Sequence, residues 1–148
     1  RIFRLRLSMI YALQRTALLG LTNYAGMFRP GDVKIGKSRH KPPAAHLVPS
    51  LVEEMCDYVN DNFASKSDVH LAAYVLWRLN WIHPFVDGNG RTSRAISYFV
   101  LCMKSGNVLP GKKTIPEQIA NNKNPYYAAL ERDDIGRNRK GIPNGRLI

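Results

Sequence analysis

Cysteine is scarce in this chain of 148 residues: Cys56 and Cys102 are the only two, each inside an apolar helical pattern and without metal-ligand spacing to the other. Two cysteines so placed argue against a disulfide framework and against a cysteine-built zinc site, and they read as buried free thiols suited to a reducing compartment. Long apolar runs are also missing. No stretch approaches the roughly 20 residues that a membrane span needs, and the opening RIFRLRLSMIYALQRTALLGL breaks its hydrophobics with arginines where a signal peptide would carry an uninterrupted core. The expectation is a soluble, cytoplasmic protein with no membrane partner. Acidic residues are few, 11 against 22 Lys and Arg, and the formal net charge of +11 points to an anionic partner: a nucleotide, a nucleic acid or an acidic protein face. There is no internal repeat, heptad run or low-complexity block, and no methionine at position 1, so the chain reads as a fragment of something longer.

What is present suffices for one domain with a core, since 45% of the residues are hydrophobic and the length is short for two domains. Ile2, Leu5, Met9, Ala12, Leu13 and Leu19 recur at helical spacing, with Arg1, Arg4, Gln14 and Arg15 on a polar side, so a first amphipathic helix is expected to end by Thr22 to Gly26. The stretch PGDVKIGKSRHKPP follows, punctuated by Pro30-Gly31 and Gly36 and closed to helix by Pro42-Pro43. It reads as a small hairpin or extended flap, or equally as a plain surface loop. Leu51, Met55, Tyr58, Val59 and Phe63 predict a second helix, and Ser67 caps a third whose broad apolar face of Leu71, Ala72, Val75, Leu76 and Leu79 marks it as central. A fourth helix, about 91–104, turns Ile96, Phe99, Val100 and Met103 inward; 116–132 holds a last helix or two broken near Pro125, and 132–148 reads as a flexible tail.

Between the third and fourth helices lies HPFVDGNGRTSR, His83 to Arg94, a polar loop held between core elements. Gly88 and Gly90 admit backbone angles closed to other residues and Asn89 is the next most tolerant type, so the N–H groups of Gly88, Asn89, Gly90 and Arg91 can converge on an anion at a helix N-terminus. Arg91 and Arg94, spaced i, i+3, face the positive end of the helix dipole, which is unfavourable unless an anion such as phosphate sits there. Asp87 would repel that phosphate unless a cation lay between them, as Mg2+ does when it joins a carboxylate to substrate phosphates. His83 is placed to take a proton from an incoming hydroxyl as a neutral imidazole, and Phe85 looks like the apolar pin of the loop. Rival motifs fail on specifics: an EF-hand register would need carboxylates at Phe85 and Ile96, no Gly-Lys-Ser or Gly-Lys-Thr follows the glycines, Ser93 stands where a dinucleotide fingerprint needs glycine, and the zincin pattern is absent.

HPFVDGNGRTSR resembles the signature of the Fic family: His, any residue, Phe, any residue, Asp or Glu, Gly-Asn-Gly-Arg, two residues, Arg. The resemblance extends from about Gly26 to Glu131. It implies a mainly α, Fic-type helical domain with a small β-hairpin flap, and a Mg2+-dependent protein adenylyltransferase that moves AMP from ATP to a Ser, Thr or Tyr hydroxyl of a target protein, releasing pyrophosphate. By the same resemblance, His83 would be the general base and Asp87 the Mg2+ ligand. Gly88, Asn89 and Gly90 would form the anion hole, Asn89 near the α phosphate, and Arg91 and Arg94 would grip the terminal phosphates.

Three further expectations rest on the resemblance. Asp32 to Pro43 stands where the family carries its flap, so Val33, Lys34, Ile35 and Gly36 would register an extended segment of the target, and Lys34, Lys37, Arg39 and Lys41 would favour an acidic one. Tyr126 and Tyr127 resemble paired tyrosines that line the adenine pocket in some relatives, although the chain then reads Arg132-Asp133-Asp134 where relatives often continue with Ala and Asn. The family's inhibitory helix, with its Ser or Thr and Glu motif, is not found: Ser50 has Glu54 four residues on, but Met55 breaks the pattern. Inhibition at Arg94 would then come from an upstream segment or a separate antitoxin chain. Two alternatives stand beside adenylyl transfer: the same site using another nucleotide, a phosphoryl transfer or AMP removal; or a basic nucleic-acid-binding module with the helix from Arg91 as recognition element. The second gives no reason for His83 and Asp87 to flank a glycine nest, and the enzyme reading requires no nucleic acid.

Overall fold

The helical periodicity folds into six α-helices in a computed structural model, which describes residues 3–36, 38–109 and 113–139, with side chains as far as Arg132. The helices are α1 (Leu7–Leu18), α2 (Val48–Asp61), α3 (Asp68–Ile82), α4 (Asn89–Ser105), α5 (Ile115–Asn121) and α6 (Lys123–Arg139), with a single 3-10 turn at Ala45–Leu47 before α2. Ser67 caps α3 as its residue type predicts, its side chain accepting from the His70 N–H at 3.2 Å. α4 ends on Gly106 at φ 74, the left-handed C-cap that glycine adopts without strain. The break between α5 and α6 falls at Asn122, and Pro125 lies within the first turn of α6, where its missing N–H is harmless. The last helix runs on to Arg139, so 132–139 is helical where a tail was expected; the remaining tail residues, 140–148, lie outside the described residues.

α3 and α4 form the most extensive helix pair, with α1 against α4 and α2 against α3. Leu71, Val75, Leu79 and Ile82 of α3, Ile96 and Val100 of α4, and Val48, Val52, Met55 and Val59 of α2 are all sealed from solvent. Phe85 is buried as expected, its ring 5.7 Å from that of Phe28, and it anchors the loop between α3 and α4 in this core. Met103, expected inward, is 41% exposed, since the last turn of α4 runs past the core. Burial raises the Cys56 thiol to about 12, so it stays protonated; Cys102 is half-buried, and neither is in a disulfide.

Two other expectations change. The first helix starts at Leu7, not at the chain start; its buried stripe is Ile10, Gln14 and Leu18, while Leu19 is 70% exposed. Gln14, placed on the polar side by its type, is buried because its amide spans two segments: Nε2 donates to the Asp87 carbonyl at 3.3 Å and Oε1 accepts from the Gly26 N–H. The flap forms no β-hairpin, and no strand occurs among the described residues. Residues 32–35 are in neither helix nor strand and Gly36 turns the chain, with the Ser38 N–H donating to Ile35 O at 2.8 Å. The returning arm then contains Pro42-Pro43, which offers no N–H to a ladder. Side-chain clasps take the ladder's place: Asp32 Oδ1 accepts from the Ala45 N–H, and the His40 ring bonds the Trp81 carbonyl at 2.7 Å. Lys37 lies outside the described residues.

Candidate active site

α3 ends by placing His83 in the left-handed region, φ 52 and ψ 59, the only non-glycine residue with positive φ among those described. That geometry costs about 1–2 kcal/mol for a residue with a Cβ, so the surrounding contacts must hold it. The His83 N–H donates to Leu79 O at 2.9 Å, and the next carbonyls are taken from outside the helix. Arg29, whose side chain is fully buried, donates from Nε to His83 O at 2.8 Å and from Nη2 to Ile82 O at 3.5 Å, while its backbone N–H donates to Pro84 O at 2.9 Å. Burial is the main cause lowering the His83 pKa below 6.5; the charges of Arg29 and His40 add to it, and the nearby Asn80 backbone opposes it. The ring is therefore neutral at pH 7, the form a general base requires. Its Nδ1 is buried without a full hydrogen bond.

The loop after His83 is closed by Asn89. Its Oδ1 accepts from the Phe85 N–H at 2.9 Å and its Nδ2 donates to Phe85 O at 2.8 Å, so the side chain is committed to closing the loop. Gly88 needs to be glycine twice over. It sits at φ 75, and a Cβ there would lie 2.5 Å from Leu18 Cδ2. Gly90, expected to use the same freedom, instead lies in the first turn of α4 at an ordinary angle, and its missing Cβ leaves room for the Arg94 guanidinium, which would stand 3.2 Å away. No side chain caps α4, and the N–H groups of its first turn have no acceptor within the helix. A helix of this length so left open favours an anion at its start.

Asp87 is exposed at this mouth: Oδ1 accepts from the Gly88 N–H at 2.6 Å, and Oδ2 lies 3.9 Å from the Arg91 guanidinium. With side chains 63% and 50% exposed, that pair is a weak, solvent-screened contact. Behind the mouth opens a cavity of about 430 Å3, lined by His83, Gly90, Arg94, Tyr126 and Tyr127 together with Ile35 and Gly36 of the flap. The fold thus brings the catalytic candidate, one of the two candidate phosphate-binding arginines, both tyrosines and the flap tip onto one cavity. Asp87, Gly88, Asn89 and Arg91 stand outside it, and Val33 and Lys34 do not line it.

Four residues of the site carry no motif signal. Arg29 and Gln14 are polar residues whose burial depends on partners far along the chain. His40 lines the cavity on the flap side, its ring tilted against that of Trp81 at 5.7 Å between centroids. Asn80 donates from Nδ2 to the Tyr126 hydroxyl at 2.8 Å and to Ser93 Oγ at 2.9 Å, while Ser93 donates to Gly90 O at 3.1 Å. This chain ties α6 to the first turn of α4. Burial, its largest cause, raises the Tyr126 pKa, so the phenol stays neutral. For Asn80, one signal was available: its position on the third helix one turn before His83.

Comparison with known proteins converges on one group. A model of the Fic/DOC family matches residues 4–101, so it takes in α1, which lies before the stretch from Gly26 that the motif resemblance covers. "Protein adenylyltransferase Fic" of Drosophila willistoni is 38% identical over 82 residues, 55% of this chain and 16% of that protein. "Protein adenylyltransferase fic-1" of Caenorhabditis briggsae is 33% identical over 115 residues, 76% of this chain and 20% of its own length. The chain therefore spans about a fifth or less of these curated relatives. Among solved structures, a Fic family protein from Desulfovibrio desulfuricans G20 superposes with a TM-score of 0.73 at 23% identity, covering 88% of this chain and 40% of that one. A Fic domain containing signaling protein from Bacteroides thetaiotaomicron gives 0.73 at 25% identity, covering 89% and 49%.

Proposed function

This chain belongs to the Fic/DOC family, and from that premise we propose that it transfers AMP from ATP to a Ser, Thr or Tyr hydroxyl of a target protein. The observation that carries the reading is the meeting of a neutral His83 with Arg94 and the uncapped start of α4 around one cavity. The cavity accommodates the nucleoside, with Tyr126 and Tyr127 beside the adenine. The α phosphate lies at the N–H groups of Asn89, Gly90 and Arg91, and Arg94 and Arg91 hold the β and γ phosphates.

The target hydroxyl attacks the α phosphorus while His83 accepts its proton; Nδ1 is buried, which leaves Nε2 for that role. The new O–P bond forms as the bond to the bridging oxygen breaks, and its electron pair leaves with pyrophosphate. Charge building on the α phosphate oxygens meets N–H dipoles already in place, the term that contributes most in such sites. Asp87 is the group that would hold Mg2+. Its Oδ2 has only a long contact to Arg91, and a single carboxylate fits an ion that takes its other ligands from phosphate and water. That ion supplies neutralisation of phosphate charge when bound. The flap presents exposed Lys34, Arg39 and Lys41, which supports docking of an extended, acidic segment of the target.

Incubation of the chain with cell lysate and ATP labelled at the α phosphate should label protein, and His83→Ala should abolish the label. Label arriving only from the γ phosphate would show a kinase instead. A chain that binds no nucleotide with Mg2+ present would refute both.

A further inference from the structure

Arg29 is distant from the motif in sequence, yet its side chain is the centre of a cluster that the motif alone does not explain. Five bonds leave this one residue. Nε and Nη2 reach His83 O and Ile82 O, Nη1 donates to Gly31 O at 2.9 Å, Nη2 also donates to Pro43 O, and the backbone N–H takes Pro84 O. Three consecutive carbonyls at the end of α3 are thereby satisfied by one arginine, and the same guanidinium holds both ends of the flap. A cation at that place also meets the negative end of the α3 dipole. An arginine placed without solvent and with all its bonds to backbone is built in, not incidental: its ion pair with the exposed Asp32, at 3.8 Å, is the weakest of its contacts.

We propose that Arg29 is the positioning residue of the proposed adenylyl transfer: by clasping the carbonyls of residues 82–84 it holds His83 in its left-handed conformation, and by clasping Gly31 and Pro43 it sets the flap against the base. The inference rests on the proposed activity for its kinetic consequence, and on geometry alone for its structural one. Lysine cannot replace it, because a single ammonium lacks the fork that reaches His83, Gly31 and Pro43 in different directions. Misplacing a reacting base by an ångström costs on the order of 100-fold in rate, and the loss falls on kcat because Arg29 does not line the cavity.

The test uses Arg29→Lys and Arg29→Gln in the whole chain, with two readouts. The first is the titration of the His83 ring by NMR, assigned among the four histidines by its absence in His83→Gln. The charged and titratable groups around that ring are Arg29 and His40 on the flap side and Arg94, Tyr126 and Glu131 across the cavity. Releasing the clasp lets water reach the imidazole, so its pKa should rise toward 6.5 in both variants, and further in Arg29→Gln, which also removes a nearby charge. The second is kinetic: kcat should fall by about 100-fold with the KM for ATP held within about twofold, and the acid limb of kcat should move up with the His83 titration. A folded Arg29→Lys with unmoved His83 titration, or activity lost only in proportion to folded fraction, would overturn the proposal. Failure of both variants to fold would also overturn it, by making Arg29 a residue of stability alone. If the unmodified chain transfers no AMP, the proposed function fails, while the His83 titration still decides the role of Arg29.

Discussion

Burial holds the His83 imidazole neutral, and the direction of that shift sets a pH prediction. A base whose pKa lies below 6.5 stays competent below that pH, so the acid limb of kcat should fall under the ordinary histidine value, measured as a pH–rate profile. The same shift affects stability. The unfolded chain binds a proton near 6.5 and the folded chain lower, so His83 opposes folding as pH drops through that window and is neutral to it above. Asn89→Ala would strip both bonds from the Phe85 backbone, and the loss should be about 2–4 kcal/mol of unfolding free energy, read by denaturant titration. Gly88→Ala meets both a left-handed backbone and Leu18, so its melting midpoint should drop as well, where Gly31→Ala, with nothing near its Cβ, should leave it almost unchanged. The motif residues were legible as chemistry because their types are costly in a loop with no function. What the letters do not carry is how the Asn89 side chain is used: both of its polar atoms bond the Phe85 backbone and close the loop.

At the scale of elements, α3 and α4 do the positioning, one delivering His83 at its C-cap and the other opening its N-terminus toward the same cavity. Ser67→Ala removes the cap of α3 and should cost about 1 kcal/mol, with kcat unchanged, because the cap lies at the far end of α3 from His83. Thr114 and Glu117 cap α5 reciprocally, and the short α5 sits between α4 and α6, so this capping box bears on where Tyr126 comes to rest. Helix existence was readable from period and caps, but helix faces were less so. A stripe containing Gln14 looks polar until the Asp87 carbonyl and the Gly26 N–H are brought to it, and the flap looks like a hairpin until the clasps of Asp32, Arg29 and His40 make strand pairing unnecessary.

For the whole molecule, the formal charge is +11, and of its cations Lys34, Arg39 and Lys41 of the flap are exposed, whereas Arg94 lines the cavity. Screening acts on the first and much less on the second. Raising NaCl from about 0.05 M to about 0.5 M should therefore raise the KM for an acidic target segment several-fold while the KM for ATP moves less. Equal salt sensitivity of both would count against docking through the flap cations. No described helix is long and apolar enough to cross a membrane.

By itself, the sequence determined the helical class, the central helix with its Ser67 cap, and the place of the polar loop HPFVDGNGRTSR between two core helices, because periodicity, capping and motif spacing are local and each residue type bears its own physical cost. Tertiary structure alone decided the left-handed His83, the burial of Gln14 and Arg29, the Asn80 bridge to Tyr126 and the strandless flap. Each of these depends on a partner elsewhere in the chain, from 13 residues away between Asp32 and Ala45 to 73 between Gln14 and Asp87, and a polar side chain acquires such a role only when folding removes the water that would otherwise satisfy it.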